Sequence, residues 1–289
     1  MGIKLPFMIL FKKATELSNH LDEQRKKGIK TGFVPTMGAL HEGHISLLKQ
    51  ARKVSELIIC SIFVNPTQFN DPADYKKYPV TIEKDIYMLE SAGCDILFLP
   101  DVPEMYPHGT DENIHYDLGF IETILEGKYR PGHFQGVSRV VHRLLEIVNP
   151  EDIFIGQKDY QQCMVIKKLL ELTGMDKTTR IHISPTLREK DGLAMSSRNT
   201  RLDDAARQLA PAIYQSLLQL KKNLRPGNTH NLTGNATTFL TQKGFKVDYT
   251  AIADAGNLSP VDQWDGKQKL VALTAAFLGD VRLIDNILL

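Results

Sequence analysis

The chain has 289 residues, 42% of them hydrophobic, enough to bury one large core or two ordinary ones. Its 35 basic and 34 acidic residues leave a formal charge of +1, which excludes the basic excess of a nucleic-acid or anionic-membrane binder and points to small-molecule partners. Cys60, Cys94 and Cys163 are far apart, odd in number and set in apolar surroundings, so they exclude a disulfide framework and read as reduced core thiols of a cytoplasmic protein.

In chain order, the opening "MGIKLPFMILFKKATEL" has a short apolar run followed closely by charge, with no small-residue cleavage site. Pro6 stands where a myristoylation signal needs Ser or Thr, so neither a signal peptide nor a lipid anchor is expected. No run reaches the roughly 18 apolar residues of a spanning helix, and no membrane partner is expected. From residue 29 to about 184, short β-branched runs alternate with segments of helical period: 29–34, 57–64, 94–99, 152–156 and 180–184 read as buried strands. Between them, Ile82, Ile86 and Leu89, with Gly93 as a stop, predict one crossover helix. Val137, Val140, Val141, Leu144, Leu145 and Val148, before Pro150, predict another. The fold class is therefore α/β, a Rossmann-like parallel sheet with helices on both faces.

After residue 184 the texture changes. Asp203 is expected to cap a single helix through "AARQLAPAIYQSLLQLKK", and "NLRPGNTHN" reads as a loop. Runs at 247–253, 269–277 and 281–287 predict late strands, the last two in hairpin spacing. The expected division is a domain over 1–184 that binds nucleotide and substrate, and a smaller α+β domain over 185–289.

Three stretches carry polar groups where strands of such a sheet give way to helices, the place where ligands sit, and a fourth lies at the domain junction. In "PTMGALHEGH", Gly38 and Gly43 let backbone approach a ligand, and N–H groups at a helix start attract phosphate. His41 and His44 can donate to a polyphosphate and its leaving group; half a metal site, or a plain helix cap, are the other two readings. In "SIFVNPTQFN", Asn65 and Gln68 can offer paired amides to a hydroxyl- and carboxylate-bearing substrate, or simply form a turn. "FIGQKDYQQ" places Lys158 for phosphate and Asp159 for a ribose hydroxyl, or as a solvated ion pair. In "MSSRN", two serines and Arg198 make a phosphate clamp. Neither the dinucleotide glycine signature nor the Walker loop occurs.

Together with "YRPGHFQGV", these stretches resemble the pantoate–β-alanine ligases, nucleotidylyltransferases marked by an H-x-G-H motif, along nearly the whole chain. The resemblance implies ATP-dependent adenylation of (R)-pantoate with release of pyrophosphate, then displacement of AMP by the amine of β-alanine, with Mg²⁺ accompanying the phosphates. It implies that Met37, Gly38, Ala39, Leu40, His41, Glu42, Gly43 and His44 line the ATP, with His44 catalytic. Gly156, Gln157, Lys158, Asp159, Leu187, Met195, Ser196, Ser197 and Arg198 would complete the nucleotide site. Gln68 would meet pantoate and β-alanine, Gln162 pantoate, His133 the substrate region, and Asp85 the Mg²⁺. Thr67 and Gln157 depart from the residues common in the family, and a homodimer is expected.

Overall fold

The computed structural model describes residues 7–110 and 114–289; Met1, Gly2 and Pro6, on which the reading of the N-terminus partly rests, lie outside them. Of the described residues, those up to Gly156 together with Val165–Ser184 form one compact unit, and Gln157–Met164 with Pro185–Leu289 form another.

The first unit is built on strands β1 (Ile9–Phe11), β2 (Thr31–Thr36), β3 (Leu57–Ile62), β4 (Ile96–Phe98), β5 (Asp152–Gly156) and β6 (Arg180–Ser184). They form one parallel sheet in the order β1-β4-β3-β2-β5-β6. Every residue of β3 is buried, as expected of a strand covered on both faces. Successive side chains alternate between faces. Val34, Ile58, Cys60, Ile62 and Leu97 pack with helix α2 (Glu42–Ala51). Helix α1 (Ala14–Lys26) is joined on the sheet by the long helix running from His133 to Val148, which contacts both it and β2. Between these come α3 (Pro72–Lys76), α4 (Ile82–Ser91), α5 (Val102–Met105) and α6 (Glu126–Tyr129), so the long helix is α7. It ends at Asn149 in the left-handed conformation, one residue before Pro150. The chain runs outward from β2 through β3 and β4, then returns to the other side of β2 as β5. The sheet therefore has its topological switch point between β2 and β5. β1 was not expected: three residues are too few to show a period, and pairing with β4 makes them a strand.

Helix α8 (Tyr160–Thr173) follows β5. The second unit contains α9 (Asp204–Leu209), α10 (Ala212–Asn223), β7 (Gly227–Asn228), α11 (His230–Gln242), β8 (Lys246–Asp254), β9 (Gln263–Trp264), β10 (Leu270–Leu278) and β11 (Val281–Leu288). The antiparallel sheet β11-β10-β8 carries α10 and α11. Asp203 caps α9 by accepting from Ala206 N at 2.8 Å, but the expected single helix is broken ahead of α10, where Pro211 supplies no N–H. The hairpin turn is Gly279–Asp280, with Leu278 paired to Val281. Gln157–Met164 packs in the second unit, where Tyr160 donates to Ala255 O at 2.6 Å. Chain order alone assigned this segment to the first domain.

Candidate active site

The carboxyl end of β2 delivers the chain into two consecutive left-handed residues, Gly38 (φ +82°) and Ala39 (φ +48°). A Cβ on Gly38 would come within 3.0 Å of Ile62 Cγ2 and 3.1 Å of Asp85 Oδ2, so the turn needs glycine for space as well as for φ. Ala39 has no such freedom, and its conformation costs about 1 kcal/mol. What holds it is Asp85, on α4 and fully buried: Oδ2 accepts from Ala39 N at 2.9 Å, and Oδ1 from Leu40 N at 2.8 Å and Thr81 Oγ1 at 3.0 Å.

The next turn starts α2, and the two histidines cap it reciprocally. Gly43 N donates to His41 Nδ1 at 3.1 Å and His41 N to His44 Nδ1 at 3.3 Å, with ring centroids 4.1 Å apart. A backbone N–H can only donate, so each Nδ1 is an acceptor, and each neutral ring carries its proton on Nε2. Capping, one of the readings of the sequence, is thus made by both rings. One expectation is corrected. The amides of Gly38, Ala39, Leu40, His41, Gly43 and His44 all donate within the protein, so these residues form no nest of main-chain N–H groups turned to a phosphate.

From β3 the chain enters a 3₁₀ turn, Pro66–Gln68. Asn65, expected to face substrate, is 1% exposed and fully engaged. Its Oδ1 accepts from Tyr106 Oη at 2.7 Å, Thr67 Oγ1 at 3.1 Å and Thr67 N at 3.3 Å; its Nδ2 donates to Gly136 O and Gln68 Oε1, each at 3.2 Å. It therefore orients Gln68, which is half-buried and whose Nε2 also reaches Met37 Sδ at 3.1 Å. Behind the turn, Arg130 Nη1 lies 3.1 Å from His133 Nε2. Guanidinium only donates, so His133 keeps its proton on Nδ1 and gives it to Gln68 O at 2.8 Å. His133, 6% exposed, thus acts on the Gln68 turn through its carbonyl. Gly136 was missed by the sequence reading. A Cβ there would lie 2.1 Å from Thr67 O, so α7 reaches this turn backbone to backbone. A glycine inside an otherwise apolar helical stripe was the available signal.

Asp85 does not fit a magnesium ligand, because its oxygens are spent on two amides and a hydroxyl in a fully buried setting. Among the described residues no three His, Cys, Asp or Glu side chains gather as a metal site.

In the second unit, Gln157–Asp159 form a 3₁₀ turn leading into α8. Lys158 Nζ lies 3.9 Å from Asp159 Oδ1, and Gln157 Nε2 donates to Asn286 Oδ1 at 3.1 Å. Gln161 is buried and Gln162 half-buried in the first turn of α8. Leu187 is 39% exposed and its carbonyl accepts from Met195 N at 3.0 Å. Ser196 caps the turn Ser197–Arg201 through Arg198 N at 3.3 Å, and Met195 to Arg198 are all half-exposed. Gly156, closing β5 in the first unit, has nothing within 4 Å of where a Cβ would stand, leaving room for close approach of a ligand.

The family model described as pantoate-beta-alanine ligase matches residues 9–288. The pantothenate synthetase of Cytophaga hutchinsonii is 42% identical over 285 residues, covering 98% of this chain and 99% of that one. The pantoate–beta-alanine ligase of Schizosaccharomyces pombe is 41% identical over 282 residues, 97% and 98% of the two chains. Among solved structures, the pantothenate synthetase of Thermus thermophilus superposes with a TM-score of 0.87 at 36% identity, covering 97% and 99%. The pantoate-beta-alanine ligase of Francisella tularensis, complexed with beta-gamma ATP and beta-alanine, gives 0.80 at 38% identity, covering 97% of each chain.

Proposed function

The chain belongs to the pantoate-beta-alanine ligase family, and from that premise we propose that it joins (R)-pantoate to β-alanine with ATP, by way of a pantoyl-adenylate, giving pantothenate, AMP and pyrophosphate. The observation that carries the reading is the reciprocal histidine cap at the carboxyl end of β2, beside the topological switch point, in which each Nδ1 accepts and each imidazole keeps its N–H on Nε2.

The chemistry follows from leaving groups. A carboxylate acylates poorly because it would have to expel oxide, whereas its mixed anhydride with AMP expels a stable anion. Attack of the pantoate carboxylate on the α-phosphorus breaks the bond to pyrophosphate, and negative charge grows on the departing oxygens. His44 donates there from Nε2, His41 contacts phosphate, and Lys158 and Arg198 supply positive charge. No side-chain nucleophile is required. Gln68, held by Asn65 and His133, binds pantoate and lies next to β-alanine, and Gln162 binds pantoate. Met37 to Gly43, Gly156, Gln157, Asp159, Leu187 and Met195 to Ser197 line the nucleotide, as the family resemblance implies. Mg²⁺ bound with ATP would offset the charge of its phosphates, and Asp85, whose oxygens hold the Ala39 and Leu40 amides and the Thr81 hydroxyl, is not assigned to it. The β-alanine amine then attacks the acyl carbon and AMP departs.

A cytoplasmic setting is supported by three buried cysteines, none of them in a disulfide, and a homodimer by the family resemblance, which sedimentation would check. The deciding experiment is pantoate-dependent exchange of labelled pyrophosphate into ATP with β-alanine omitted, followed by product analysis with β-alanine present. Exchange and stoichiometric AMP are expected; a product that keeps the nucleotide would overturn the reading.

A further inference from the structure

Two adjacent residues of β11 have no role in the chemistry above, yet they hold both segments of the second unit that it assigns to the nucleotide. Asn286 is 2% exposed and its amide makes three bonds to one turn. Its Nδ2 donates to Gln157 O and to Lys158 O, each at 2.9 Å, and its Oδ1 accepts from Gln157 Nε2 at 3.1 Å. Asp285, with a fully buried side chain, takes Arg188 in a fork, Nη1 at 2.6 Å and Nη2 at 3.0 Å, and accepts from Asn286 N at 2.7 Å. The guanidinium carbon of Arg188 lies 3.5 Å from the Tyr214 ring centroid. Its nitrogens also donate to Gly192 O at 3.1 Å and Asn286 O at 3.3 Å. Arg188 sits in a narrow hairpin, where Arg188 bridges Ala194 and Glu189 N donates to Leu193 O at 2.8 Å; Met195 to Arg198 follow directly.

Packing alone does not call for this. A leucine at either position would hold a strand to its sheet, whereas a buried amide and a buried carboxylate cost free energy unless every partner is met. Successive side chains of a strand point to opposite faces, so one dipeptide reaches two loops at once. A 3₁₀ turn has poor hydrogen-bond geometry of its own, and two extra donors on its carbonyls fix it where intrinsic stability would not.

We propose that Asp285 and Asn286 are positioning residues for ATP: Asn286 sets the turn that carries Lys158, and Asp285, through Arg188, sets the hairpin that presents Met195 to Arg198. This rests on the reading that those segments meet the nucleotide. The test uses the full chain and initial rates of AMP release, varying ATP, pantoate and β-alanine in turn. The variants are Asn286→Ala, Asn286→Asp, Lys158→Ala and the Asn286→Ala/Lys158→Ala pair, with thermal melting of each. Asn286→Ala is expected to raise the KM for ATP on the order of 10- to 100-fold while leaving the KM for β-alanine within about twofold. The paired variant is expected to be no worse than Lys158→Ala alone. Asn286→Asp keeps the volume but can donate only when protonated, so its KM for ATP should worsen with rising pH more steeply than the parent's; it carries the test if the alanine variant does not fold. A purely structural role would lower melting temperature and active fraction without singling out ATP. A KM for ATP within about twofold of the parent in a folded variant, or full additivity with Lys158→Ala, would overturn the proposal. Lys158→Ala with an unchanged KM for ATP would instead overturn the nucleotide reading of the turn, and the proposal with it.

Discussion

At opposite ends of the six-stranded sheet two aspartates are completely buried, Asp85 beside the carboxyl ends and Asp152 at the amino ends, and their partners differ in kind. Asp152 opens β5 and is met by two cations and an imidazole: Lys30 Nζ at 2.7 Å, Arg180 Nε at 3.2 Å and His182 Nε2 at 2.6 Å, all from residues before or within neighbouring strands. Close by, Arg52 pairs with Asp95, which also accepts from Ile58 N at 2.7 Å, and Glu151 accepts from Thr31 N at 2.8 Å. Asp85 is met by two amides and a hydroxyl instead. An ion pair tolerates a range of geometries and ties strand to strand, whereas two consecutive N–H groups on one carboxylate dictate the dihedrals between them. The amino end uses its aspartate for cohesion, and the carboxyl end uses its aspartate to hold Gly38 and Ala39 where the histidine cap can begin.

If that division is right, activity should break at one end of the sheet and stability at the other. The largest loss is expected at the cap itself: His44→Ala removes a transition-state donor and should lower pyrophosphate exchange on the order of 10² to 10³-fold. A variant within a few-fold of the parent would remove His44 from the mechanism. Asp85→Asn is the next step down. The isosteric amide can accept from one of the Ala39 and Leu40 N–H groups but turns its own N–H₂ toward the other, stranding a donor at a cost of about 1–3 kcal/mol. Displacement of the histidines that follow should cut exchange on the order of 10- to 100-fold. Asp152→Asn should do the reverse. It should lower stability by about 2–3 kcal/mol in denaturant unfolding, while exchange per folded molecule stays within about twofold. Equal activity losses in Asp85→Asn and Asp152→Asn would abolish the distinction between the ends.

The same contrast explains what was legible in the sequence. Strands β2 to β5 announce themselves because burial demands apolar runs, β6 at the sheet edge by the alternation of its isoleucines, and His44 and Gln68 because each sits where such a run stops. The groups that aim them are not legible, since they arrive from afar: Asp85 is 46 residues from Ala39, His133 is 65 from Gln68, and Asn286 is 129 from Gln157. No local spacing encodes such a pair, which is why Asp85 read as a metal ligand and Asn65 as a substrate group. Helix α11, with Gly234 and a run of Asn and Thr, was hidden differently: its sequence has poor helix propensity, and packing against α10 and β8 supplies what propensity does not.

The smallest effect expected is also the most specific to the amino end. Burial raises the carboxyl pKa of Asp152, but hydrogen bonds from Lys30 and His182 and the charges of Lys30 and Arg180 outweigh it, so the group is held below its ordinary value of 3.8. A carboxyl depressed in the folded state contributes stability that is fully present above its unfolded pKa and is lost as pH falls through the folded one. Other depressed carboxyls, Asp191 and Asp254 among them, give the parent an acid sensitivity of their own. Asp152→Asn leaves those intact, so the difference between the two melting curves isolates this one group. Protonated aspartate is close to an isostere of asparagine, and the two proteins should therefore differ most near neutrality and converge as pH drops below 3.8. A gap in melting temperature that stays constant down to pH values well below that point would mean that Asp152 stabilises the sheet through its shape and hydrogen bonds alone. The amino end would then be no more electrostatic than the loop held by Asp85.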